Sequence, residues 1–360
     1  MAAMGPKTIL LTGATGVVGA ALLQKLGGQR VVCLAHNDAP APNGGDVEVV
    51  RGSVTEPLLG LDRKKYDEIA RRVDAVVNCA AITEYTATRK DMFAVNVDGV
   101  GRALELADRG GADFFHLGTA FVATTPIEVD ESRGSRDVKR WWNPQLYIES
   151  KRAADDVVAN SGVPAAVLRP SIVFGDSETG ETAKFQGVHV LIRVFFEESL
   201  PLVPLDPDRR IDFIPRDVLA DLIVDVLDRP FVAREWWLTA GESALTVDDL
   251  MRVGAAYLER IGSDIAPPRV VAPSMVDRLI RPVFLPQLPA RMRRRFEQLM
   301  QLEPLFFTDE VFGSSIPEIE RTSGIAVDLK LEQAYTAAVD FWRDRKAARS
   351  REHGGDEVAV

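Results

Sequence analysis

The 360 residues carry 43 Lys and Arg against 53 Asp and Glu, a formal net charge of −10, which argues against nucleic acid as the main partner because phosphate backbones need a positive surface. Hydrophobic residues make up 46% and charged residues 27%, ordinary values for a globular chain with a full core. No run approaches the ~18 apolar residues of a membrane span. The two cysteines, Cys33 and Cys79, lie far apart without disulfide or zinc spacing, and no signal-peptide layout follows Lys7; the expectation is a cytoplasmic protein with no metal site.

TILLT (8–12) reads as a buried strand, followed by the turn GATGVVG and the helical run AALLQKL. A GxxGxxG that links a strand to a helix is a dinucleotide-binding signature. Gly13 permits the tight turn, Gly16 lets amides approach a pyrophosphate, Gly19 allows helix–strand packing, and the helix N-terminus attracts the anion. Apolar strands follow as RVVCLA (30–35), VEVVRG (47–52), VDAVVNCAA (73–81), FFHLGT (114–119), AAVLRP (165–170) and EWWLTA (235–240), separated by helix-period stretches. Near-continuous apolar strands alternating with helices predict an α/β, doubly wound parallel sheet of the Rossmann type. Thr119 ends one strand with a hydroxyl at its carboxyl edge.

The stretch after 142 begins a helix with Asn143 as N-cap, Pro144 at the first position and Gly162 past the end. It sets Tyr147 and Lys151 four residues apart on one face. A nearby ammonium is expected to lower the phenol's pKa and make Tyr147 a useful proton donor. Residues 216–228 form another amphipathic helix. After about 245 the strand rhythm stops, prolines cluster, and the pattern predicts a smaller, mainly helical C-terminal substrate lobe. The division reads as a dinucleotide-binding domain over 1–240 with lobe insertions around 176–212, the lobe over 241–345, and a flexible tail over 346–360. Between 269 and 297 seven arginines (Arg269, Arg278, Arg281, Arg291, Arg293, Arg294, Arg295) face only Asp277 and Glu297. This is a solvated face or a docking patch for an acidic carrier protein or coenzyme A phosphates, and the interspersed Met275, Leu279, Ile280, Phe284 and Leu285 also suit an acyl tunnel or a peripheral membrane contact.

TGATGVVG, NCAA, FAVNVDG, HLGTAFV, YIESK and LRPSIVFG together resemble, in order and over residues 7–240, the extended short-chain dehydrogenase/reductase superfamily. PLLGLDRKKYDEI and RPSIVFGDSETGE are similar to its thioester reductase and fatty acyl reductase branch. The resemblance implies catalysis by Thr119, Tyr147 and Lys151. It implies a cofactor site of Thr12, Gly13, Thr15, Gly16, Val17, Val18, Gly19, His36, Ser53, Val54, Asn78, Ala80, Ala81, Asn96, Lys151, Pro170, Ser171, Ile172 and Val173. The implied reaction passes hydride from a nicotinamide to an acyl thioester, and the hemithioacetal collapses to aldehyde and thiol. NADP(H) is favoured and NAD(H) is the alternative: His36 stands where the branch carries an arginine, and no carboxylate stands at Ala35. The substrate is expected on coenzyme A or on an acyl or peptidyl carrier protein in trans. Other activities of the superfamily, a ketone or alcohol oxidoreductase or a sugar-nucleotide epimerase or dehydratase, are the alternatives. Oligomeric state is not legible.

Overall fold

A computed structural model describes residues 6–36, 46–124, 143–183, 202–290 and 311–352, with positions 185, 192, 196, 292–294, 296–297, 299–300 and 307–308. Seven strands, β1 (Thr8–Thr12), β2 (Arg30–Ala35), β3 (Asp46–Arg51), β4 (Ala75–Asn78), β5 (Asp113–Leu117), β6 (Ala165–Pro170) and β7 (Glu235–Leu238), form one parallel sheet in the order β7-β6-β5-β4-β1-β2-β3. These are the seven apolar runs read from the sequence. Both faces of the sheet are covered, so every central strand position finds an apolar neighbour and the runs need no polar alternation.

On one face, α1 (Val17–Lys25) and α6 (Arg216–Leu227) bury Val18, Leu22, Leu219 and Ile223 against Ile9, Leu11 and Val77. On the other, α2 (Arg63–Arg72), α4 (Gly99–Gly110) and α5 (Pro144–Asn160) bury Tyr66, Ile69, Leu104 and Ala154 against Leu10, Val76 and Phe114. Between β4 and α4 the chain forms α3 (Arg89–Phe93) and a wide, π-helical turn, Ala94–Asp98, which carries Asn96. Because β1 lies between β2 and β4, the winding reverses there, and a crevice opens at the carboxyl ends of these strands.

A third core belongs to the lobe, and it is assembled from both sides of residue 240. Phe174, Val203, Ile211 and Phe213 pack with residues of α7 (Val247–Arg260) and α9 (Leu331–Glu352). The lobe is helical with short strand pairings: 172–174 with 213–215, 202–204 with 269–271, and 210–211 with 245–246 and 307–308. The chain then returns to the sheet, where α8 (Ile316–Ser323) adds Ile316 and Ile319 to the α1–α6 face. The tail differs from its sequence reading. α9 runs past 346 to Glu352, because RDRKAARSRE is made largely of residues with high helix propensity. Among the described residues no helix is long and apolar enough to cross a membrane.

One carboxylate staples lobe to sheet. Asp212, 3% exposed, accepts the Ala240 and Gly241 N–H groups at 2.8 and 2.9 Å just beyond β7. Its own carbonyl accepts from Ile172 N at 3.2 Å. Asp212→Ala strands two buried donors, at about 1–3 kcal/mol each. We expect its urea midpoint to fall with an unchanged slope; a wild-type midpoint would contradict this accounting.

Candidate active site

The glycine loop is sterically compelled. Gly13 has φ +72°, and a Cβ there would stand 2.6 Å from the Ala80 nitrogen and the Cys79 carbonyl carbon. A Cβ on Gly19 would stand 2.2 Å from the Gly13 oxygen. The loop thus folds flat against the end of β4 and brings α1 down close upon it. Gly16 caps α1 with its backbone alone: among the described residues no side chain bonds the helix N-terminus, and no acidic residue sits in the first turn. The free N–H groups and the helix dipole leave a receptor for a pyrophosphate, so the cradle fits a dinucleotide. Beneath it, the Thr12 hydroxyl donates to Asn78 Oδ1 at 2.7 Å and accepts from Ala80 N at 3.2 Å. Thr12 and Asn78 are therefore buried braces between β1 and β4, and Thr15 is exposed on the loop.

α5 carries the reactive pair. The Asn143 side chain accepts from Leu146 N at 3.0 Å and Pro144 follows, so the helix starts where its cap signal lies. Lys151 is buried and its Nζ donates to the Leu117 carbonyl at 2.9 Å, at the end of β5. The Thr119 side chain hydrogen-bonds the Tyr147 hydroxyl. Asn96 holds α5 from the other side: its Nδ2 donates to the Ser150 hydroxyl and the Ile82 carbonyl, both at 2.9 Å, and its Oδ1 accepts from Ile82 N at 2.7 Å.

A cleft of about 1080 Å³, open mouth included, runs from the start of α1 to these groups. Of the residues expected in the site it is lined by Gly16, Val17, Val18, Gly19, Ala81, Thr119, Tyr147, Lys151 and Pro170 to Val173. Thr83, Glu84, Tyr85, Phe121 and Ile148 line it as well and were not singled out in the sequence. Ile148 and Phe121 had a legible signal, being next to Tyr147 and two residues past Thr119. Tyr85 sits with its ring centroid 6.0 Å from that of Tyr147, and its carbonyl accepts from Asn143 N at 2.8 Å.

The remaining expected residues lie off this cleft. His36 is exposed at the end of β2, and Ala80 is half-buried behind the glycine loop. The Ser53 hydroxyl bonds Thr55 Oγ1 at 2.8 Å within its own turn. Val54 is buried, and its side chain stands 3.0 Å from where a Cβ on Gly99 would lie. That turn runs into Leu58, Leu59 and Gly60, all with positive φ, which drives Leu59 into the core. Arg51, not singled out earlier, ends β3 in register with Ala35 and is exposed.

The electrostatics depart from the sequence reading in one respect. Burial pushes the Tyr147 phenol up to about 12, the Thr119 hydrogen bond pulls it back, and the Asp155 charge raises it. Burial thus outweighs the lowering expected from a neighbouring ammonium, and the Lys151 ammonium donates to the Leu117 carbonyl. Lys151 itself is pushed down to about 8 by burial, against the opposing pull of Asp155 and Cys79. Asp155 follows Lys151 by one helical turn. It pairs with Arg169 at 2.8 Å, and Arg169 also pairs with Glu235 and donates to the Thr119 carbonyl at 3.4 Å. Burial raises Asp155, which Arg169 opposes. Since the Lys151 ammonium is charged below about 8 and neutral above, nicotinamide dinucleotide binding should weaken as pH rises through that value. The loss expected is roughly tenfold, the worth of one charged hydrogen bond. Asp155→Asn should move the transition to lower pH. Fluorescence titrations from pH 6 to 10 check both, and a flat wild-type profile would refute the assignment.

A profile of the male sterility protein family, an NAD-binding family, matches residues 43–223. Glycine betaine reductase ATRR of Emericella nidulans is 26% identical over 268 residues, covering 63% of this chain and 20% of that protein. The chain spans between 4 and 20% of the length of the first three curated relatives it matches. The terminal R domain of the myxalamid PKS-NRPS pathway superposes with a TM-score of 0.71 at 23% identity, covering 95% of this chain and 92% of that one. A thiolation-reductase di-domain from an archaeal non-ribosomal peptide synthetase superposes at 0.68 with 15% identity, covering 95% and 77%.

Proposed function

The chain belongs to the male sterility protein family, and from this premise we propose that it is an NAD(P)H-dependent oxidoreductase that reduces an acyl thioester to an aldehyde or alcohol. The observation that carries the reading is the continuity of one cleft from the α1 N-terminus to the Thr119–Tyr147 pair. The names of the relatives, a glycine betaine reductase and terminal reductase domains of peptide and polyketide assembly lines, favour a carboxyl-level substrate.

Gly13, Gly16 and Gly19 would hold the pyrophosphate through backbone amides, Lys151 would bind the nicotinamide ribose, and Pro170 to Val173 would flank the nicotinamide, which supplies a hydride when bound. Thr119 and Tyr147 face the thioester oxygen, and their hydroxyls stabilise the negative charge that grows there as the carbonyl carbon is reduced. Tyr147 then delivers its proton to that oxygen. A phenol held high by burial is a weak acid at rest, so the step depends on proton transfer as oxyanion charge develops. The resulting hemithioacetal loses its thiol and leaves the aldehyde. Burial by Phe121, Ile148 and Ile172 keeps the carbon–sulfur bond from water.

NADPH is the preferred donor in this reading. No carboxylate stands at Ala35 to bind the ribose hydroxyls, and in a parallel pair the Arg51 side chain points to the same face as that of Ala35. Arg51 would then be the cation for a 2′-phosphate, with His36 beside it at the end of the neighbouring strand. Soluble substrate on coenzyme A or a carrier protein, and a reducing cytoplasm suited to two free cysteines, complete the proposal.

Tyr147→Phe should lower kcat on an acyl-thioester panel by about 10²–10⁴-fold with nucleotide affinity kept within twofold. A wild-type chain that oxidises NADPH with no thioester of the panel would overturn the reading. Arg51→Glu should raise the dissociation constant for NADPH by roughly tenfold and leave that for NADH unchanged; equal effects on both would remove Arg51 from the phosphate site.

A further inference from the structure

One surface of the lobe is left unused by this chemistry. The wide helix Val276–Phe284 buries Val276 and Ile280 in the lobe core, the same cluster that contains the cleft residues Phe121 and Ile148. Next to this buried edge, Met275 at the N-cap, Leu279 and Val283 follow at successive four-residue steps and are exposed to 36, 45 and 51%. These are three of only seven large hydrophobic residues exposed among the described positions, so the stripe is a concentration of apolar surface.

The charges around it are sorted. Arg281 takes both acidic residues of the segment, Asp277 at 2.7 Å and Glu297 at 3.0 Å. Arg278, Arg293 and Arg294 are exposed, and none has an ion pair among the described residues. Arg291 and Arg295 lie outside the described residues. Arg281 thus takes up both Asp277 and Glu297, and the exposed Arg278 stands next to Leu279 in the stripe, with Arg293 and Arg294 exposed further along the same basic segment, in a chain whose net charge is −10.

We propose that this face docks an acidic protein surface that presents an apolar helix side, and that the partner is the carrier that delivers the acyl thioester. The inference rests on the reductase reading above. Charge complementarity selects the occupant: clustered arginines steer and orient an anionic partner. Three side chains on two helical turns suit a small, transient protein contact, and they give little apolar area for a bilayer. The core beneath the stripe is shared with the cleft wall, so the face lies on the lobe that covers the substrate end of the site.

The test uses octanoyl-loaded acyl carrier protein and octanoyl-N-acetylcysteamine as paired substrates for the full chain, with Arg278→Glu/Arg294→Glu and Leu279→Ser as separate variants. The charge-reversal variant is expected to raise KM for the carrier-bound substrate at least tenfold and to lose the rise in KM that added salt causes in the wild type, with kcat/KM for the small thioester unchanged. Leu279→Ser should raise the same KM while keeping the wild-type salt dependence, because its arginines are intact. A KM that is unchanged, or that rises equally for both substrates, overturns the docking face while the reductase reading stands. Turnover of neither substrate by the wild type defeats that reading instead; direct titration of the carrier protein then decides the face, since binding lost on charge reversal sustains it and no binding overturns it. Sedimentation with vesicles of 30% phosphatidylserine in phosphatidylcholine, lost in the same variant, together with no carrier binding, would transfer the face to a membrane and also overturn the proposal.

Discussion

The structure depends on burying a cation at the carboxyl ends of the strands. Lys151 is 4% exposed, and an ammonium there would be expelled or neutralised unless its surroundings held it. They do so in alternation: the Leu117 carbonyl accepts from it, Asp155 lies a helical turn away, Arg169 neutralises Asp155, and Glu235 neutralises Arg169. The series links α5 to β5, β6 and β7 and ends against the Thr119 carbonyl. Structural electrostatics and the proposed chemistry thus share the same atoms, and removal of Arg169 leaves the Asp155 carboxylate buried without its ion pair. The partners of that series are themselves the residues that fix where α5 lies over the sheet.

The same alternation explains why the site is tuned rather than merely assembled. Burial alone pushes Lys151 down and Tyr147 up. Asp155 resists the first shift and adds to the second, which keeps the ammonium charged near neutrality while the phenol stays protonated. A donor that keeps its proton until charge grows on the substrate suits a reductive step.

Much of the fold was legible because the sheet is covered on both faces. The central strands carry short, nearly unbroken apolar stretches such as ILL, VVCLA, AVV and AAVL, so their runs stand out from the helical stretches without any reading of alternation. The glycine spacing, Asn143 and Pro144 were legible for local steric reasons that need no tertiary context. What escaped the sequence was long-range. Tyr85 enters the cleft because its loop is tied to Asn143, and Arg51 becomes interesting only through its register with Ala35. Tyr147, Lys151 and Asp155 share a spacing of four that was open to view, yet the value of Asp155 lies in Arg169, on another element. The lobe was least legible, since its core draws on residues from 121 to 342 and its strands are too short to register as runs.

The π-helical turn at Ala94–Asp98 has a consequence of phase. A regular helix advances about 100° per residue, whereas a π turn accommodates one more residue before the pattern resumes. That extra residue sets the azimuth of Asn96, whose side chain must meet Ile82 and Ser150 at once. Shortening the segment by one residue would repair the helix and rotate the amide out of its socket, so the irregularity acts as an indexing step that aligns α4 with α5.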